Sequence, residues 1–251
     1  MLHVHLFPCL SDNYGFLLHD DVSGETVAVD TPEVAVILAE AKRKNWVITQ
    51  IWNTHWHPDH AGGNTVIKDE TGCRIVAPAE VERMSSVSRV VADGDRVNIG
   101  RHEAQVIDVG GHTSGHVAYY LPDADIAFVG DSVFPLGCGR MFEGEAEQYW
   151  ESLQRIRDLP PQTKLYCAHE YAAANASFAL HADPGNAHLK AYAAEIGKLR
   201  ERHQPTIPTT LERELATNPF LRAETPELRE RWGGDTPAET FAALRAAKDR
   251  F

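Results

Sequence analysis

Between positions 53 and 60 the chain reads Asn-Thr-His-Trp-His-Pro-Asp-His, with candidate ligands at His55, His57, Asp59 and His60. Packing gives no reason for this density of imidazole and carboxylate. Coordination of a divalent cation does, because imidazole nitrogen and carboxylate oxygen are donors that zinc, iron(II) and manganese accept. On extended backbone side chains alternate, so His55 and His57 face the same way. Pro58 breaks that direction, and Asp59 and His60 can aim at a different point. Two neighbouring ions, or one ion with some of these side chains behind the ligands, both satisfy the pattern.

Such a motif needs a scaffold. The apolar run 47–52 leads in and Ala61-Gly62-Gly63 leads out, which reads as a strand ending in a ligand loop. Three further expected strands end in ligand-type residues: 104–109 runs on to His112, 126–129 to Asp131 and 164–168 to His169. Open α/β folds gather ligand sites in this way at the carboxyl ends of strands. Strands are also expected at 4–7, 14–18, 26–29, 74–77, 96–99 and 117–121, and helices after Pro32, at 78–84 and at 145–159. Pro160-Pro161 stops the last of these helices. Beyond about residue 170 the strand pattern gives way to helical spacing, and 209–212 and 236–239 fit capping boxes. Domains are therefore expected at 1–169 and 170–251.

Bulk properties narrow the class. The 251 residues suffice for one large domain or for a domain with a smaller companion, and 43% hydrophobic with 24% charged residues is ordinary for a globular chain. A formal net charge of -12 argues against general nucleic-acid binding. No apolar run reaches the roughly 18–20 residues needed to span a bilayer, and no signal peptide is visible. Cys9, Cys73, Cys138 and Cys167 are scattered without a CxxC pair, which predicts reduced, partly buried thiols in a cytoplasmic protein, and a monomer is the default expectation.

In chain order, His55-Trp56-His57-Pro58-Asp59-His60, Gly111-His112-Thr113, Gly130-Asp131 and His169 resemble the metallo-β-lactamase superfamily. The resemblance narrows to the hydroxyacylglutathione hydrolases, or glyoxalase II. It is carried by Asp12-Asn13-Tyr14, Gly130-Asp131-Ser132-Val133-Phe134, Gly137-Cys138-Gly139-Arg140, Ala168-His169-Glu170-Tyr171, Asn218-Pro219-Phe220 and Arg245-Ala246-Ala247-Lys248-Asp249. It runs nearly end to end.

This resemblance implies an α/β fold, a four-layer αββα sandwich with a C-terminal α-helical domain that helps bind glutathione. It implies two divalent metal ions, zinc foremost, with iron or manganese also suited. His55, His57 and His112 would hold one ion and Asp59, His60 and His169 the other, with Asp131 bridging; Asp59 and Asp131 are the catalytic carboxylates of the set. A hydroxide shared by the ions would attack the thioester of S-(2-hydroxyacyl)glutathione, typically S-D-lactoylglutathione. The products would be glutathione and a 2-hydroxy acid such as D-lactate, as in methylglyoxal detoxification. Arg140, Phe142, Tyr171, Asn175, Arg245 and Lys248 match substrate-contact positions. The family often carries Lys and Tyr where this chain has Arg140 and Phe142, so the donor geometry changes and a hydroxyl is lost. The glutathione persulfide dioxygenases of the same superfamily are the alternative, but one ion would leave several of these ligands without a role. Asp30, at a strand end, is positioned to orient a ligand imidazole, and His116 is expected to pack or to support a ligand.

Overall fold

Alternating side chains over the first thirty residues produce three strands, β1 (Leu2–Cys9), β2 (Asn13–Asp20) and β3 (Thr26–Val29). The computed structural model describes residues 1–251, and chain contacts gather them into two units: residues 1–108 with 115–130, and residues 109–114 with 131–251. In the first unit these strands are followed by α1 (Val34–Lys44), β4 (Gln50–Trp52), α2 (Pro58–Ala61), α3 (Asn64–Thr71), β5 (Arg74–Ala77), a 3-10 turn (Ala79–Arg83) and β6 (Arg89–Val90). The sheet order is β1-β2-β3-β4-β5-β6. The first three strands pair antiparallel and β3 to β6 run parallel. β7 (Arg96–Ile99), β8 (His102–Asp108), β9 (Val117–Leu121) and β10 (Ile126–Gly130) form an antiparallel meander.

Strand periodicity sets the layers. Leu17, Ala28, Ile51 and Ile75 pack with Ile37 and Ala41 of α1 and with Ile67 of α3. Phe16 and Trp52 point the other way, where Phe16 meets Phe128 edge-on at 5.5 Å and Trp52 stacks on Tyr119 at 5.2 Å. Helices, sheet and second sheet are thus three successive layers, and every residue of β2 is buried. Ile51 sits in the middle layer at 0% exposure. Truncating it to alanine costs about 2–5 kcal/mol and loosens the strand that delivers the ligand loop.

In the second unit β11 (Val133–Phe134) and β12 (Gly137–Cys138) form a hairpin, followed by α4 (Ala146–Arg157) and β13 (Lys164–Cys167). Then come α5 (Ala172–Ala182), α6 (Ala187–Glu201), β14 (Thr209–Thr210), α7 (Leu211–Thr217), α8 (Pro226–Trp232) and α9 (Pro237–Asp249). Leu136, Ala172, Ala176, Ala179, Leu189, Tyr192 and Ile196 form one core. Tyr149 and Trp150 of α4 pack on Phe241 of α9. Thr236 and Glu239 close the expected capping box, with Pro237 opening the helix.

Several expectations shift. The strand expected over 47–52 forms only over Gln50–Trp52. Pro58 does more than turn the chain: it opens α2, where its missing N–H costs nothing, so Asp59 and His60 stand on a first helical turn. The β-pattern does not end near 170, because Thr209 and Thr210 pair with Leu165 and Lys164. The cap of α7 is Thr210, one residue later than expected, because Thr209 donates its hydroxyl to Glu214. All four cysteines are buried free thiols.

Candidate metal centre

Within the first unit, neighbours fix which ring nitrogen of His55 and of His60 carries the proton, and Asn13 holds Asp59. The His60 Nδ1–H donates to Asp30 Oδ2 at 2.9 Å, so Nε2 presents its lone pair. Asp30 also accepts from the Thr54 backbone N–H and hydroxyl, each at 2.8 Å. The Thr54 hydroxyl, its proton committed to Asp30, accepts from His55 Nδ1 at 3.0 Å. That leaves the His55 Nε2 lone pair 3.0 Å from His57 Nδ1. Asn13 donates to Asp59 Oδ2 at 3.0 Å, and the same oxygen lies 3.5 Å from His60 Nε2. Asp30, 5% exposed, orients His60 directly and His55 through Thr54, and it does so from a left-handed backbone with φ 58°. His116 stacks on His55 at 4.6 Å.

The second unit contributes His112, Asp131 and His169. Asp131 Oδ2 lies 3.3 Å from His112 Nε2 and 3.4 Å from His169 Nε2. The His112 Nδ1–H donates to the Arg140 carbonyl at 2.8 Å, again leaving Nε2 as the ligand atom. Tyr149 donates its hydroxyl to the Ser132 carbonyl at 3.0 Å, pinning the chain beside Asp131. Gly139 must be glycine, because a Cβ there would meet the Asp131 carbonyl oxygen at 2.1 Å.

Three donor sets of metal-ligand type can be drawn from these residues: His55, His57 and His112; His55, His60 and Asp131; Asp59, His60 and His169. The donor set fits a divalent metal. Tetrahedral ligands about 2.0–2.1 Å from zinc lie about 3.3–3.4 Å apart, the spacing of Asp131 Oδ2 from its two histidines.

The residues expected to meet substrate differ in setting. Phe142 and Tyr171 are exposed apolar rings, 59% and 38% accessible. Tyr171 stacks on His169 at 4.8 Å, and Phe142 packs edge-on to His112 at 5.3 Å. Arg140 is exposed. Asn175 is buried, donates to the Pro135 carbonyl at 3.0 Å and accepts from Lys248. Arg245 is 3% exposed and donates to the Cys138 carbonyl at 2.9 Å and to Asp249. Burial, reinforced by the neighbouring Arg245, lowers the Lys248 pKa to about 8. Sequence reasoning assigned no role to Asn13, Thr54 or Tyr149. Asn13 had a signal, since it lies in the Asp12-Asn13-Tyr14 motif that opens β2. Thr54 and Tyr149 act through hydrogen bonds that have no sequence signature.

The chain is similar to known proteins over its whole length. Residues 21–169 match the metallo-beta-lactamase superfamily, and residues 170–251 match the hydroxyacylglutathione hydrolase C-terminus. A hydroxyacylglutathione hydrolase of Erythrobacter litoralis (strain HTCC2594) is 66% identical over 251 residues, covering 100% of both chains. The crystal structure of ETHE1 from Myxococcus xanthus shares the fold at TM-score 0.68 and 23% identity, covering 99% of this chain and 98% of its own. TTHA1623, solved in a di-iron-bound form, shares it at TM-score 0.63 and 21% identity, covering 87% of this chain and 100% of its own. No helix is long and apolar enough to cross a membrane. The chain is an α/β member of the metallo-β-lactamase superfamily and, within it, belongs to the hydroxyacylglutathione hydrolase, or glyoxalase II, family of enzymes.

Proposed function

We propose that the chain hydrolyses S-(2-hydroxyacyl)glutathione, with S-D-lactoylglutathione as the representative substrate, at a centre of two divalent ions. His55, His57 and His112 would hold one ion, Asp59, His60 and His169 the other, and Asp131 would bridge. The observation that carries this reading is the single oxygen of Asp131 poised at 3.3 and 3.4 Å from two imidazole nitrogens assigned to different ions. When bound, two such ions supply Lewis acidity and bring the pKa of a water toward neutrality. Zinc suits these donors, and iron or manganese suits them as well.

The chain's own residues do the rest. Asp30 and the Arg140 carbonyl hold ring protons on the side away from the ligand atoms of His60 and His112. Lys248 supplies a positive charge below pH about 8, suited to a carboxylate of the glutathione tripeptide. Phe142 and Tyr171 offer apolar faces to the substrate. The thiol of the product has a parent pKa of about 8.5, so its thiolate departs without a dedicated proton donor. Residues 1–169 serve as the catalytic part and 170–251 as the glutathione-binding part. The protein acts as a cytoplasmic monomer, a reducing setting that suits four buried thiols.

The test is anaerobic hydrolysis of S-D-lactoylglutathione by protein whose bound metal has been counted. Two ions per chain and thioester cleavage without oxygen are expected. Oxygen uptake on glutathione persulfide with one iron per chain, and no thioesterase activity, would overturn the reading in favour of a dioxygenase.

A further inference from the structure

Glu80 lies in the 3-10 turn of the first unit and is no ligand in the scheme above. Its carboxylate accepts two backbone N–H bonds, from Gly115 to Oε2 at 2.7 Å and from Trp56 to Oε1 at 3.3 Å. Trp56 stands between His55 and His57. Gly115 stands between His112 and His116. One carboxylate therefore grips the backbone of the first ligand loop and of the segment that follows the next ligand in the chain. We propose that Glu80 is a positioning residue for the metal centre, tying these two segments together so that the imidazoles keep their spacing. The proposal rests on the two-ion reading.

Three observations on the same segments support it. A Cβ on residue 115 would meet Glu80 Oε2 at 2.9 Å and Cδ at 3.0 Å, so glycine here is what lets the carboxylate approach. Arg83, from the same turn, lies over the Trp56 ring at 5.0 Å and adds a second hold on the residue between the ligands. Immediately beyond Gly115, His116 stacks on His55 and the Val117 N–H donates to the Thr54 carbonyl at 2.9 Å. The turn thus braces the backbone behind His55, which carries its ring into two of the three candidate donor groups. Glutamine at position 80 keeps the size but can offer only one carbonyl oxygen. Its amide N–H groups would face the second backbone donor. The E80Q variant therefore breaks one arm of the brace while leaving the turn intact.

The experiment compares zinc affinity by chelator competition in the unsubstituted chain, E80Q and E82Q, the last being an exposed carboxylate of the same turn. E80Q is expected to bind zinc about tenfold or more weakly, the usual loss when an outer partner of a metal ligand is removed. E82Q should match the unsubstituted chain. In metal-stripped protein the Gly115 and Trp56 amides should exchange slowly with solvent, and E80Q should speed both. Equal zinc affinity in E80Q and the unsubstituted chain would overturn the brace while leaving the two-ion reading standing. So would a Gly115 amide that exchanges like an exposed one in the unsubstituted, metal-stripped chain, and this readout holds even if E80Q does not fold. No zinc uptake by the unsubstituted chain would overturn both.

Discussion

The ligand loop and the last helix hold their functional groups in opposite ways. From His55 to His60 the ligands lie within six positions, and three of them are aimed by a partner on the unit's own strands and turns: His55 by Thr54, His60 by Asp30 and Asp59 by Asn13. On α9, Arg245 and Lys248 bond to groups far away in sequence, the Cys138 carbonyl and the Asn175 side-chain oxygen. The loop presents lone pairs that a metal can take without rearrangement. The helix presents cations already spent on internal bonds, and an arriving carboxylate must compete for them. Substitutions should therefore be steep in the first region and graded in the second.

The steepest loss should come from Asp131, whose one oxygen serves two histidines. D131A should lose bound metal and thioesterase activity together, by more than the roughly 100-fold upper limit for removing an outer partner of a ligand. Normal turnover with two ions in D131A, counted by elemental analysis, would remove this residue from the centre. Asp30 should come next. D30N keeps a residue that tolerates the left-handed backbone, so it tests the carboxylate alone. About a 10- to 100-fold loss of zinc affinity is expected. An unchanged affinity would mean that His60 and Thr54 hold their orientation without it.

This contrast also explains what was legible. The dense run from His55 to His60 announces chemistry because no packing requirement produces it, and the strand ends at His112, Asp131 and His169 follow from strand periodicity. Asp30 was legible as a carboxylate at a strand end. The hydrogen-bond chain through Thr54 was not, since a threonine before a histidine has no distinguishing pattern. Helix spacing put Arg245 and Lys248 on one face, but it could not reveal that Arg245 is buried among carbonyls. That depends on the hairpin of β11 and β12, whose two-residue strands fall below any periodic signal. The shift of the α7 cap from Thr209 to Thr210 has the same cause. Both threonines can cap, and the buried carboxylate of Glu214, a tertiary feature, decides between them.

A smaller, graded effect is expected at Lys248. Its pKa is lowered to about 8 by burial and then by Arg245, so the ammonium is present below that pH and lost above it. Because kcat/KM reports groups of the free enzyme, it should fall by about tenfold as pH rises through about 8, the worth of one charge-assisted hydrogen bond. K248Q should remove that limb and raise KM at pH 7 more than it lowers kcat. Parallel profiles for the two proteins would show that the ammonium is not used in binding.

The smallest effect on catalysis, and one seen in stability instead, should be at Glu214. Its carboxylate is fully buried and accepts from the Leu136 N–H at 2.9 Å, the Thr209 hydroxyl at 2.7 Å and the Asn218 amide at 3.1 Å. Asn218 in turn donates to the Phe134 and Gly137 carbonyls, so the pair holds the backbone of the β11–β12 hairpin. Burial outweighs these donors and raises the pKa from 4.5 to about 6. A carboxyl group whose folded pKa lies above its unfolded value contributes stability that is complete below the unfolded value. That contribution fades as pH rises through the folded one, because the unfolded chain gives up its proton first. The window is pH 4.5 to about 6, and its depth is about 2 kcal/mol. E214Q carries no titrating proton, so its unfolding free energy should lack this fall. Urea melts of both proteins at pH 4.5, 5.5 and 6.5 would give the difference, with other groups cancelling. Identical pH slopes would mean that the Leu136, Thr209 and Asn218 donors hold the carboxylate ionised throughout, and that the hairpin is anchored by charge, as the ligand loop is.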